Sequence, residues 1–214
     1  MTNLVELTDV AVTAGPTPIV KSITLSVEEG ECLAIQGPNG AGKTTILRVI
    51  ATLLPPSGGV GRILGVSLGT PEVRQVRPLI GLAGHIPALA DQLTLSENLA
   101  FVADLTGRSR LAASEALEKV GLAGAGDRRA LECSHGMRKR ADLARLFLNP
   151  PRLLLLDEPH AGLDSSAQPL ILELVTRTVE TGGGAVLVSH DPTTLIDLAD
   201  RRLTLRAGSL EPVL

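Results

Sequence analysis

Tryptophan and tyrosine are absent from the 214 residues, and phenylalanine occurs only twice, as Phe101 and Phe147. That removes the usual stacking platforms for bases and the aromatic belts of membrane-spanning chains. Cysteine is nearly as scarce: Cys32 and Cys133 lie far apart, which argues against a disulfide framework, and a reducing cytosol is expected. No apolar run approaches the ~20 residues of a membrane span, and Leu153 to Leu156 is a strand-length patch. The start, Met1-Thr2-Asn3-Leu4-Val5-Glu6, lacks the basic region and apolar core of a signal peptide. A formal charge of −3 without a basic cluster argues against a nucleic-acid partner. What is present is a 44% hydrophobic content and 22 glycines, which predicts a folded chain with one core and a modest insertion.

Alternation in Leu4 to Val10 and in Ile23 to Val27 predicts two half-buried strands, separated by the breaker Gly15-Pro16-Thr17-Pro18. Cys32-Leu33-Ala34-Ile35 reads as a buried strand running into a glycine-rich loop. A helix is expected from Lys43 to Leu54, stopped by Pro55-Pro56-Ser57-Gly58-Gly59, and a strand from Leu79 to Ala83. Thr94 and Glu97 fit a capping box, and Ala113, Ala116, Leu117 and Val120 form a helical stripe ended by Gly121. Apolar strands return at Leu153 to Leu156 and Ala185 to Val188, with a helix from about Ser166 to Glu180 between them. The expected architecture is an α/β parallel sheet spanning residues 1–214 as a single domain, with a helical insertion at about 88–140.

Gly37-Pro38-Asn39-Gly40-Ala41-Gly42-Lys43-Thr44 matches G-x-x-x-x-G-K-[ST] in full, and Thr45 continues it into the helix. Glycines let successive backbone N–H groups converge on phosphate oxygens, and the helix that follows presents its positive end. Lys43 supplies a mobile charge for the β- and γ-phosphates, and Thr44 a hydroxyl for Mg²⁺. This cradle alone fits kinases, GTPases and motor ATPases equally. The second acidic site narrows it: Leu153 to Leu156 ends in Asp157 and Glu158, which strand alternation points in different directions. Asp157 is then suited to the Mg²⁺ shell and Glu158 to polarising an attacking water.

Three further segments accompany these: Cys133-Ser134-His135-Gly136-Met137 before a basic helix, Gly162-Leu163-Asp164 after the acidic pair, and Ser189-His190-Asp191 after the last buried strand. With them nearly the whole chain resembles an ATP-binding cassette (ABC) nucleotide-binding domain. The resemblance implies a P-loop NTPase core with an antiparallel β subdomain and a helical insertion. It implies that Ser134 and Gly136 grip the γ-phosphate of an ATP bound by the opposite subunit. It implies that His190 supports Glu158, and that Asp164 lies in the loop communicating across a head-to-tail ATP sandwich. The partners implied are a second copy or a related ATPase subunit, and permease subunits on other chains in the cell membrane. The location implied is the cytoplasmic face of that membrane.

Departures from the family pattern fall at three places. His85, in Gly84-His85-Ile86-Pro87, stands where the family has a glutamine, and imidazole is a poorer Mg²⁺ ligand than an amide oxygen. His85 is therefore expected to act through a water or through a partner, and His85→Gln to retain ATPase activity. His135 and Met137 replace the usual Gly and Gln of the signature, and Cys133-x-His135 has no second pair with which to form a zinc site. Ala14 stands near the place of the family's adenine-stacking aromatic, which predicts weak discrimination between ATP and GTP. Gly84-His85-x-Pro87 and the run Asp157 to Asp164 resemble most the ATP-binding subunits of cytochrome c maturation haem exporters. Small ABC-2-type drug or lipid exporters and soluble assembly ATPases are the alternatives.

Overall fold

Four consecutive leucines with nothing polar among them suit the middle of a sheet covered on both faces. The computed structural model, which describes residues 2–163, 167–191 and 198–213, puts them there. Leu153, Leu154, Leu155 and Leu156 are each 0% exposed. Burying each contributes about 1.5–3 kcal/mol relative to leaving it in water.

Among the described residues ten strands form one sheet: β1 (Asn3–Ala14), β2 (Thr17–Glu28), β3 (Cys32–Gln36), β4 (Gly58–Ile63), β5 (Val66–Ser67), β6 (Ile80–Ala83), β7 (Leu153–Asp157), β8 (Gly184–Ser189), β9 (Arg201–Arg206) and β10 (Ser209–Pro212). Their order is β5-β4-β1-β2-β10-β9-β3-β8-β7-β6. β9, β3, β8 and β7 run parallel, with Ile35 opposite Val188 and Leu156 opposite Leu187. β1, β2, β4 and β5 pair antiparallel. This is the P-loop core with an antiparallel β subdomain that the family pattern implied.

Among the described residues five α-helices accompany the sheet: α1 (Lys43–Ile50), α2 (Leu95–Thr106), α3 (Arg110–Lys119), α4 (His135–Leu148) and α5 (Gln168–Glu180). α1 stops four residues before the expected Leu54. Thr52 takes φ +60°, and its hydroxyl and carbonyl oxygens both accept from the Arg77 guanidinium, at 2.9 and 2.7 Å. The chain does not pause at Gly58-Gly59 as expected but enters β4 there. α2 begins with the predicted capping box: Thr94 Oγ1 accepts from the Glu97 amide at 3.1 Å, and Glu97 accepts from the Thr94 amide at 2.8 Å.

The chain divides into two compact units. The first comprises Met1–Leu82, Pro151–Glu158 and Val175–Leu214, and holds the main hydrophobic core between α1 and the strands. The second comprises Ala83–Pro150 and Pro159–Leu174, and is built on α2, α3 and α4. Its helices bury Leu99, Ala103, Leu117, Ala141, Ala144 and Phe147.

Candidate functional site

In the first unit, β3 delivers the chain into the loop 37–42. Gly37 passes so close to β9 that a Cβ there would lie 2.5 Å from the Leu205 carbonyl oxygen, so no other residue fits. The loop ends at Gly42, which begins α1 without a side-chain cap. The first amides of α1 therefore depend on partners outside the helix, and an anion suits them. Lys43 is buried but for 7% of its side chain. Its ammonium lies over the loop, donating to the Gly37 and Pro38 carbonyl oxygens at 2.7 and 3.1 Å. Pro38, Asn39 and Gly40 are exposed, and Ala41 and Thr45 half-buried.

β7, parallel to β3 and separated from it by β8, brings the acidic groups to the same end of the sheet. Asp157 closes β7, and its Oδ2 accepts from the Thr44 hydroxyl at 2.7 Å. A hydroxyl and a carboxylate converging in this way are hard oxygen donors, the set that suits Mg²⁺. Glu158 follows at φ +50°, an unusual conformation for a side-chain-bearing residue. Its amide donates to the Val188 carbonyl at 2.9 Å, which ties the turn to β8.

The Glu158 carboxylate is held from several sides. Oε1 accepts from the His190 amide at 2.8 Å and lies 3.9 Å from Lys43 Nζ. Oε2 accepts from the Ser189 hydroxyl at 2.9 Å and lies 3.0 Å from His190 Nδ1. Ser189 is buried, and its oxygen accepts in turn from the Asp191 amide at 3.1 Å. In the sequence Ser189 stands out only as a neighbour of His190. Its role as a donor depends on β8 lying beside β7, which no local pattern announces.

The second unit carries the remaining motif residues. Ser134 caps α4, its Oγ accepting from the Met137 amide at 3.2 Å. Gly136 lies in the first turn, facing the Gly162 carbonyl. Both His85 and His135 are exposed, and their ring centroids are 6.3 Å apart with the planes tilted by 48°. His135 is also seated on Gly162: at φ +74°, a Cβ there would come within 2.6 Å of its ring. The two histidines that depart from the family pattern are therefore neighbours. Asp164 lies outside the described residues. Ala14 ends β1 at an exposed two-residue turn, paired with Thr17.

A phosphate loop, a hydroxyl–carboxylate pair and a clamped glutamate at the ends of parallel strands define a P-loop ATPase of the ABC nucleotide-binding type. The family model described as ABC transporter matches residues 20–161. The cytochrome c biogenesis ATP-binding export protein CcmA of Xanthomonas axonopodis pv. citri is 37% identical, covering 94% of this chain and 93% of that protein. The daunorubicin/doxorubicin resistance ATP-binding protein DrrA of Streptomyces peucetius is 36% identical, covering 97% of this chain and 64% of that protein. A solved dimeric ATP-binding cassette in a post-hydrolysis state, bound to ADP and Pi, superposes with a TM-score of 0.85 at 27% identity, covering 98% and 99% of the two chains. The chain belongs to the ABC transporter family and is an ATP hydrolase. Among the described residues no helix is long and apolar enough to cross a membrane.

Proposed function

We propose that the chain is the ATPase subunit of an exporter of haem, or of a related component, for cytochrome c maturation. It works as an ATP-sandwich dimer, with itself or a related ATPase subunit, on the cytoplasmic face of a membrane whose permease subunits are other chains. The observation that carries the chemistry is the convergence of Lys43, Thr44, Asp157 and the clamped Glu158 at one end of the sheet. The cargo class rests on the likeness to CcmA.

Residues 37–45 cradle the phosphates, with the uncapped amides of α1 and the Lys43 ammonium meeting their oxygens. Thr44 and Asp157 would hold Mg²⁺, which neutralises charge on the phosphates when bound. Glu158 orients a water and takes its proton as the water oxygen attacks the γ-phosphorus and the bond to the bridging oxygen breaks. His190 keeps the carboxylate aimed from one side and meets the γ-phosphate from the other. Ser134 and the α4 amides of the opposite copy complete the cradle, and Asp164 relays closure across the dimer. His85 acts beside His135, on the loop that faces the membrane partner. Ile86, Phe101, Leu105 and Leu111 are 78%, 59%, 71% and 69% exposed, an apolar set that favours a docked subunit on the second unit.

Glu158→Gln should abolish turnover yet accumulate an ATP-trapped dimer, read by size-exclusion chromatography with ATP and Mg²⁺. A monomeric profile overturns the sandwich. The likeness to DrrA favours drug export as the second reading. ATPase activity of the complex with its membrane subunits, stimulated by haem and not by doxorubicin, separates the two.

A further inference from the structure

On helix α4, His135, Arg138 and Asp142 recur at i, i+3 and i+7, which aligns them on one face. Each meets a different point of the loop that follows β6. The His135 ring stands by His85 at 6.3 Å between centroids. The Arg138 guanidinium donates to Asp91 Oδ1 at 2.8 Å. Asp142 Oδ1 accepts from the Ala88 amide at 3.3 Å, and from Arg145 Nε and Nη2 at 3.1 and 3.0 Å. The loop's far end is also tied. The Asn98 side chain accepts from the Ala90 amide at 2.7 Å, and the Leu131 amide donates to the Asp91 carbonyl at 3.1 Å.

Asp142 is the buried member of this row, 3% exposed. Burial pushes its carboxyl above the ordinary carboxylate range, and Arg145, Ala88 and Lys139 pull it back. Burying a charge is costly unless it is paired and hydrogen-bonded, as Asp142 is. Here one carboxylate oxygen fixes a single loop amide and a single guanidinium, so the loop has one register along the helix.

We propose that Asp142 is a positioning residue of the ATPase site: through Ala88 and Arg145 it straps loop 84–91 along α4, keeping His85 in register with the Ser134 end of the helix. The proposal rests on the roles given above to His85 and Ser134. A push on the loop from a membrane partner is then carried along α4 to Ser134.

The test compares Asp142→Ala and Asp142→Asn in the full chain. Asp142→Ala removes the oxygen and should lower kcat about tenfold with KM for ATP within twofold, because residues 37–45 are untouched. Asp142→Asn retains an acceptor oxygen and should stay within about threefold of the native kcat. Unchanged turnover in Asp142→Ala overturns the strap, and so does an Asp142→Asn loss as large as that of Asp142→Ala. Ser134→Ala is the control. If it leaves turnover unchanged, the signature reading has failed; if it lowers turnover while Asp142→Ala does not, only the strap has failed. Should Asp142→Ala not fold, hydrogen exchange on the native chain decides. Protection of the Ala88 amide comparable with the α4 amides supports the strap, and exchange at the free-peptide rate overturns it.

Discussion

The two units hold their functional groups by different means. In the first, main-chain geometry aims them: strand ends place Asp157 and Glu158, a left-handed turn points the Glu158 side chain, and close approach to β9 demands Gly37. In the second, side chains bonded to backbone amides do the aiming. Asn98 holds Ala90, Asp142 holds Ala88, and Ser134 caps the helix from outside. Main-chain placement tolerates loss of a single neighbouring side chain, whereas a strap of side chains depends on each of its members. Damage in the first unit should be severe only at groups that touch the reacting phosphate. In the second, groups remote from the phosphate should also matter.

Lys43→Ala gives the largest expected break. It removes a charge-assisted donor from the phosphate loop, and nucleotide affinity should fall about a hundredfold, measured by fluorescent-nucleotide titration. Undiminished binding would contradict the loop's assignment. Ser189→Ala comes next, and probes a point where the first unit does lean on a side chain. Deleting a hydrogen bond to a charged group is worth about 1.5–3 kcal/mol, so kcat should drop about tenfold or more with KM unchanged. An unaltered kcat would mean that the turn and the His190 amide suffice to aim Glu158. Ser189→Thr, which keeps the hydroxyl, should restore the rate.

The smallest effect concerns the cysteines, one in each unit. Burial, with Asp200 and Glu31 adding to it, pushes the Cys32 thiol from 9.0 to about 12. The folded chain therefore favours the protonated thiol. That contribution is complete at pH values below 9.0 and is lost as pH rises from there towards about 12. Cys133, half-buried and with its thiol also raised, chiefly by burial, is the more accessible of the two. Iodoacetamide at about pH 8.5 should modify Cys133 alone, with Cys32 reacting only on unfolding. Early labelling of Cys32 would argue against a rigid first unit.

The same division explains how much could be read from residue order. The glycine-rich loop and the acidic pair are continuous stretches in which each residue's chemistry has a local reason, and they lie between β3 and α1 and at the end of β7. The α2 capping box is equally local. β4 was hidden because Gly58, Gly59 and Gly61 interrupt any alternation, and β9 because only Leu203 and Leu205 turn inward between arginines. Neither the nearness of His85 to His135 nor the contacts that Arg138 and Asp142 make with the loop have a local signature. Both arise only when a loop some fifty residues away in the chain is laid against α4.

The left-handed turn at Glu158 has a consequence for how this protein can change over time. A residue with a side chain pays about 1–2 kcal/mol to sit there, and glycine alone escapes that penalty. On the role proposed for Glu158, selection for a hardier chain would therefore favour the loss of the carboxylate, and with it of hydrolysis. Robustness and turnover pull in opposite directions at this position, and only continued demand for work keeps a glutamate in a place suited to glycine.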